Sequence, residues 1–83
     1  MKLSAAQIEE KTVEMLSKEF EVDASLIVPD APLMQTLDLD SLDMVDVVAM
    51  VARNFGIILK QEDFAGMVSF RDFYNIIERK MNA

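Results

Sequence analysis

The stretch that decides the fold runs Asp40-Ser41-Leu42-Asp43-Met44-Val45-Asp46-Val47-Val48-Ala49-Met50-Val51-Ala52-Arg53-Asn54-Phe55-Gly56. Asp40 is a strong helix N-cap. Asp43 falls at the third helical position, where a carboxylate suits free backbone N–H groups and the positive end of the helix dipole. At about 100° per residue, Met44, Val47, Val48, Val51 and Phe55 lie within about 60° of one line, which makes them the core face. Gly56 supplies a left-handed stop. A second strip, Leu42, Val45 and Ala49, faces largely away from that core, beside Asp46 and Arg53. Apolar residues turned outward at the start of an acidic helix read as a docking surface. Scattered surface hydrophobes are the plainer alternative and need no explanation.

Upstream of Asp40, residues 21–39 read as a long loop, broken by Pro29 and Pro32 and pinned by Val22, Ile27, Leu33 and Leu37. So long a loop in so small a chain carries function or ties helices together, and the apolar pins favour tying. Before it, Ser4 and Gln7 make a capping box, with Leu3 and Ile8 placed as a hydrophobic staple. Ile8, Thr12, Met15, Leu16 and Phe20 recur at helical spacing, one face of a helix ending near Phe20. Downstream, residues 57–68 form a connector in which Lys60 to Ala65 make about one helical turn before Gly66. Ser69, with Asp72 at the third position, opens a last helix presenting Phe70, Phe73, Tyr74, Ile77 and Met81 on one side. The expected fold is all-α. It is a small antiparallel helical bundle of three main helices plus one short helix, with a long loop between the first and second, in a single domain over residues 1–83.

Composition limits what such a bundle can do. The chain has 83 residues, 52% of them hydrophobic, with no Cys and no His. That excludes disulfide staples, thiolate nucleophiles, Cys/His zinc sites and any histidine triad. No run of about 18 apolar residues could cross a membrane, and the first residues lack the apolar stretch of a signal peptide. The expectation is a cytoplasmic monomer without stable membrane insertion. A net charge of −7 would repel nucleic acid and anionic membrane surfaces. Its distribution says more. Residues 14–46 carry nine acids against one Lys, whereas residues 47–83 carry five basic residues against four acids. Asp38, Asp40, Asp43 and Asp46 are the densest part, so a partner drawn by that field should carry a basic patch. A solvated acidic face that aids solubility is the competing account.

The same aspartates do not make a calcium loop. Asp38-x-Asp40 opens like an EF-hand, but the fifth, sixth and twelfth positions hold Leu42, Asp43 and Ala49 where the loop needs an oxygen ligand, Gly and Glu. No dedicated metal site is expected. Nothing in the sequence identifies a pocket that would shift paired carboxylates toward acid–base work, so an enzyme is not expected either. Ser41 remains. It can be an ordinary first-turn serine, but it sits at a helix N-terminus, just past a loop, beside an outward apolar strip. A phosphate ester on its hydroxyl would meet unpaired N–H groups and the positive dipole end, though nearby aspartates would repel it.

Leu37-Asp38-Leu39-Asp40-Ser41-Leu42-Asp43, running into Met44-Val45-Asp46, resembles the attachment motif of acyl carrier proteins. The resemblance spans nearly the whole chain, since the helices and the long loop fall where that family has them. It implies that Ser41, with Asp40 beside it, bears a covalent 4′-phosphopantetheine whose thiol carries acyl groups as thioesters. It also implies that partner enzymes dock on Leu42, Val45, Asp46 and Ala49. Peptidyl carriers usually have Gly-Gly before His or Asp and then Ser, so Leu39-Asp40 fits the acyl type. The partners implied are a phosphopantetheinyl transferase and basic-surfaced acyl-processing enzymes of fatty acid or related acyl-chain biosynthesis. A continuous basic groove would gain contacts at Asp43 and Asp46 and meet repulsion at Arg53. Two departures from the family pattern bear on which enzymes these are: Asp38, where Gly is common, and Ala52-Arg53-Asn54, where Glu is common. A carrier dedicated to a specialised polyketide-like or lipid pathway is one alternative. A helical adaptor that binds a protein through the Ser41 helix, with no arm at all, is another.

Overall fold

Each long helix of the structure, a computed structural model that describes residues 3–82, opens on a capping box. Helix α1 (Ala5–Glu19) starts from Ser4, whose hydroxyl accepts the Gln7 N–H at 3.2 Å while the Gln7 side chain accepts the Ser4 N–H at 2.9 Å. Ile8 is buried and Leu3 packs against the core, as the staple requires. Helix α3 (Ser41–Phe55) starts from Asp40 and stops at Gly56, whose φ of 69° is the left-handed turn that glycine adopts without a Cβ penalty. Helix α5 (Phe70–Met81) starts from Ser69. Between α3 and α5 the expected turn is present as α4 (Gln61–Phe64). Among the described residues the elements are helical, and the architecture is the small helical bundle that the spacing of apolar residues calls for.

The long loop holds more order than its prolines announce. Asp23 caps a 3-10 turn, Ala24–Leu26, and a further short helix, α2 (Leu33–Leu37), begins right after Pro32. Pro32 stands at the N-cap, where a missing N–H leaves no intrahelical bond unmade. Five residues cannot hold a helix by themselves. Tertiary bonds do so: Leu33 N–H donates to the Val68 carbonyl at 3.0 Å, Phe70 N–H to Ala31 at 3.2 Å and Arg71 N–H to Pro29 at 2.9 Å. The loop is thus sewn to the start of α5. Its pins Ile27, Leu33 and Leu37 are buried, and Val22 is partly buried against the core.

The core is built mainly from α1, α3 and α5, with α1 packed against α5 and the loop and connector residues Ile27, Leu33, Leu37, Leu59 and Met67 completing it. Ile8, Leu16, Val47, Val51, Phe70, Phe73 and Ile77 are almost wholly buried. The buried arcs are wider than the sequence stripes. Met50 and Ile76, each roughly 110–120° round its helix from the stripe centre, are also buried, because α3 and α5 are covered on more than one side. Conversely, Met15, Phe20, Met44, Val48 and Met81 are only half-buried. Lys11 ties α1 to the end of α3, its ammonium donating to the Asn54 carbonyl at 2.8 Å and lying 5.4 Å from the centre of the Phe55 ring. That places a cation at the negative end of the α3 dipole.

Candidate functional site

The approach to Ser41 is set by a left-handed residue. Asp38 ends α2 at φ 52°, ψ 51°, and the Leu39 N–H turns back to the Met34 carbonyl at 3.0 Å. L residues avoid this conformation, and Asp and Asn tolerate it better than most. Aspartate therefore keeps the turn that glycine would make easily, at some cost in strain. The chain then leaves Leu39 half-buried and enters the helix at Asp40.

Asp40 consumes the donors around the serine. Its Oδ1 accepts from the N–H groups of Leu42 at 2.9 Å and Asp43 at 3.0 Å, while Asp43 Oδ2 accepts the Asp40 N–H at 3.1 Å. The Asp43 N–H chiefly, joined by that of Leu42, holds the Asp40 carboxyl below its ordinary value. This corrects one expectation. A phosphate on Ser41 would not find the N–H groups of Leu42 and Asp43 free; the Ser41 N–H, which Asp40 does not take, and the dipole end remain to favour it. The same bonds leave the serine itself unused. Ser41 is the first residue of α3, exposed, and its hydroxyl takes no part in the cap.

Beside Ser41 lies a groove of about 380 Å³, lined by Ser41, Met44, Val45 and Val48 of α3 and by Gln61 and Phe64 of α4. It follows the first two turns of α3, roughly 10 Å of helix. Gln61 and Phe64 were not legible as site residues, since the sequence marks 60–65 only as a turn. Phe64 is nonetheless a large apolar residue inside a polar turn, and that is the one signal they carried. Met44 and Val48, read as core, are its half-buried wall.

The outward strip is real. Leu42 is 77% exposed, Val45 67% exposed, and Ala49 is exposed below them. Asp40 and Asp46 are exposed and Asp43 half-buried around the same end of α3. Arg53 is exposed too, but it sits in the last turn of the helix, roughly 18 Å along the axis from Ser41. It belongs to the far edge of this surface. Among the described residues, no group of three or more acidic, His or Cys side chains is placed to hold a metal ion.

An exposed serine hydroxyl freed by its neighbours' capping, next to an apolar groove, fits a covalent arm that carries an apolar group. The comparisons agree with that chemistry. The family described as "Phosphopantetheine attachment site" matches residues 10–77. An acyl carrier protein of Thermotoga maritima is 31% identical over 94% of this chain and 96% of its own length. One of Solidesulfovibrio magneticus is 30% identical over 88% and 94%, and one of Thermosynechococcus vestitus is 26% identical over 98% and 100%. A family match over most of the chain, with relatives aligned almost end to end, makes this chain a member of the acyl carrier protein family, whose prosthetic group is a covalent 4′-phosphopantetheine.

Proposed function

We propose that Ser41 Oγ is the attachment point of the 4′-phosphopantetheine, and that the whole chain works as one carrier domain in fatty acid or related acyl-chain biosynthesis. The observation that carries this is the free, exposed hydroxyl at the first position of α3, released because Asp40 rather than the serine caps the helix. The arm's thiol supplies the sulfur that a chain without Cys lacks and holds acyl groups as thioesters. The chain's own residues bind and shield. Each CH₂ of an acyl chain left in water costs about 0.8 kcal/mol, and the groove along Met44, Val48 and Phe64 offers it a seat. Catalysis is left to partners; the chain has no Cys and no His, the side chains best suited to take up a thioester or pass a proton near neutral pH. Leu42, Val45 and Ala49 form the apolar contact for those enzymes, ringed by Asp43 and Asp46, which attract a basic surface. We place the carrier in the cytoplasm as a monomer. Among the described residues no helix is long and apolar enough to cross a membrane.

Arg53 favours a dedicated pathway as the second reading. It sets a positive charge on the same exposed line as Asp46 and Ala49, so a partner with an unbroken basic groove meets like charge at its far end.

The test is the intact mass of the protein isolated from its native host, beside Ser41→Ala. A fraction heavier by one phosphopantetheine, absent in Ser41→Ala, is the expected result. Added mass that survives Ser41→Ala would move the attachment elsewhere. A wild-type chain that no transferase modifies would leave only the helical adaptor.

A further inference from the structure

The second wall of the groove is the shortest α-helix of the fold among the described residues. Helix α4 has four residues, far too few to be stable alone. Between the buried Leu59 and Met67 that flank it, α4 has two anchors of its own. Phe64 points into the space between α4 and α3, where it lines the groove and packs against the core. Asp63, one residue earlier, faces α5. Its Oδ2 accepts the Lys60 N–H at 2.7 Å, closing the N-terminus of α4, and lies 2.9 Å from the Lys80 ammonium near the end of α5. Here the Asp63 side chain is only 9% exposed and that of Lys80 only 23%. The other two ion pairs among the described residues, Glu14–Lys18 and Asp30–Arg71, are open to water on both sides. An exposed pair contributes little, whereas a shielded, charge-assisted pair holds its geometry and weakens steeply when one partner goes.

We infer that the Asp63–Lys80 pair positions the second wall of the groove, and that Phe64, carried on that wall, is the residue that sets how long an acyl chain the groove accepts. The second half rests on the attachment at Ser41 proposed above; the first half does not. Without the pair, α4 keeps its Lys60 cap but loses its tie to α5, and Phe64 no longer has a fixed place along the groove.

Hydrogen exchange on the full-length, unmodified chain tests the first half. The reporters are the Asp63 N–H, bonded to the Lys60 carbonyl, and the Met67 N–H, bonded to the Phe64 carbonyl. Lys80→Met keeps the aliphatic stem and the Asp63 cap. It should speed exchange at both amides about tenfold while interior amides of α1 and α5 stay unchanged. Lys80→Arg should restore them, and Arg71→Met, which breaks an exposed pair, should leave them alone. Unchanged exchange in Lys80→Met, or equal acceleration throughout the molecule, overturns the positioning role.

Thermal midpoints of the carrier loaded with saturated acyl groups of increasing length test the second half. The midpoint should climb with length, since each sheltered CH₂ favours the seated state about fourfold, and then level off where the chain meets Phe64. Phe64→Ala lowers the starting midpoint by loss of packing but should move the break to longer chains, and Lys80→Met should blur it. A break that stays put in Phe64→Ala overturns the role of Phe64. A midpoint indifferent to length overturns both that role and the seating of the chain, while the exchange result stands by itself.

Discussion

Ser41 and Ser69 sit one position apart in the same local pattern, and their fates differ completely. Both α3 and α5 open on a reciprocal capping box with aspartate at the third position. At α5 the serine is the cap: its hydroxyl accepts the Asp72 N–H at 3.4 Å and meets the Asp72 carboxylate at 3.3 Å. The next residue, Phe70, is fully buried. At α3 an aspartate takes the cap, the serine moves one place inward, and the next residue, Leu42, stands in solvent. A hydroxyl that closes a helix cannot also be an attachment point. Shifting serine by one residue frees it and leaves helix formation intact, because aspartate caps as well as serine does. The comparison separates an N-terminus built into the core from one built for contact.

The largest expected contrast follows directly. Ser41→Ala should abolish the arm outright while shifting the unfolding free energy by less than about 0.5 kcal/mol, as exposed substitutions do. Ser69→Ala should leave modification intact and cost about 1 kcal/mol, the usual loss of a cap. Intact mass and chemical denaturation read both. If Ser41→Ala is the more destabilising, the serine at α3 is structural after all. Next in size is the first turn behind each cap. Phe73→Ala should cost about 3–5 kcal/mol through lost burial and a cavity, and Leu42→Ala under about 0.5 kcal/mol. Leu42→Ala should instead weaken association with partner enzymes. Equal stability losses would mean that the α3 strip is packed, not presented.

Much of this contrast was legible in the sequence, and the parts that were not share a cause. Ser4, Asp40, Ser69 and Gly56 announced helix ends because capping depends on residues within four positions of each other. The outward strip of Leu42, Val45 and Ala49 followed from helical geometry alone. Helix α2 was not legible: Leu33–Leu37 is too short to show a period, and what holds it are bonds to Val68 and from Phe70 and Arg71, more than thirty residues away. Met50 and Ile76 escaped for the same reason, since a second covering neighbour cannot be seen from one helix's own stripe. Of the site, Ser41 and its charged surround were visible, whereas Gln61 and Phe64 became site residues only when α4 was laid against α3.

A smaller effect is expected where α2 and α3 end, both in left-handed turns, one through Asp38 and the other through Gly56. Asp38→Ala should lose about 1 kcal/mol, because alanine lacks the short polar side chain that eases this conformation. Asp38→Asn keeps that ease and removes one of the crowded negative charges, so its melting temperature should rise by about 2 °C at low salt. The gain should shrink as salt is added. If both variants gain equally, charge rather than backbone strain governs the turn. A melting temperature that does not depend on salt would show the repulsion among these aspartates to be negligible.

The smallest effect compares the two caps through acid. Backbone N–H donors lower the carboxyl of Asp40, chiefly that of Asp43, and the carboxyl of Asp72, chiefly those of Ser69 and Val68. A carboxyl that titrates lower in the folded chain adds stability that is complete above its unfolded value. That stability is lost as pH falls through the folded one. Both caps should therefore be intact at neutral pH and fail only in acid, below the ordinary 3.8. Amide chemical shifts read each cap separately, since Leu42 and Asp43 donate to Asp40 whereas Val68 and Ser69 donate to Asp72. Asp40→Asn, a cap that does not titrate, should flatten the first pair of curves and leave the second in place. Because Phe70 and Phe73 behind the Asp72 cap are in the core, its titration should coincide with acid unfolding, whereas the Asp40 cap should loosen with the rest of the molecule still folded. Midpoints at or above 3.8 for Leu42 and Asp43 would mean that Asp40 does not hold those donors in solution. The hydroxyl of Ser41 would then have no reason to be free.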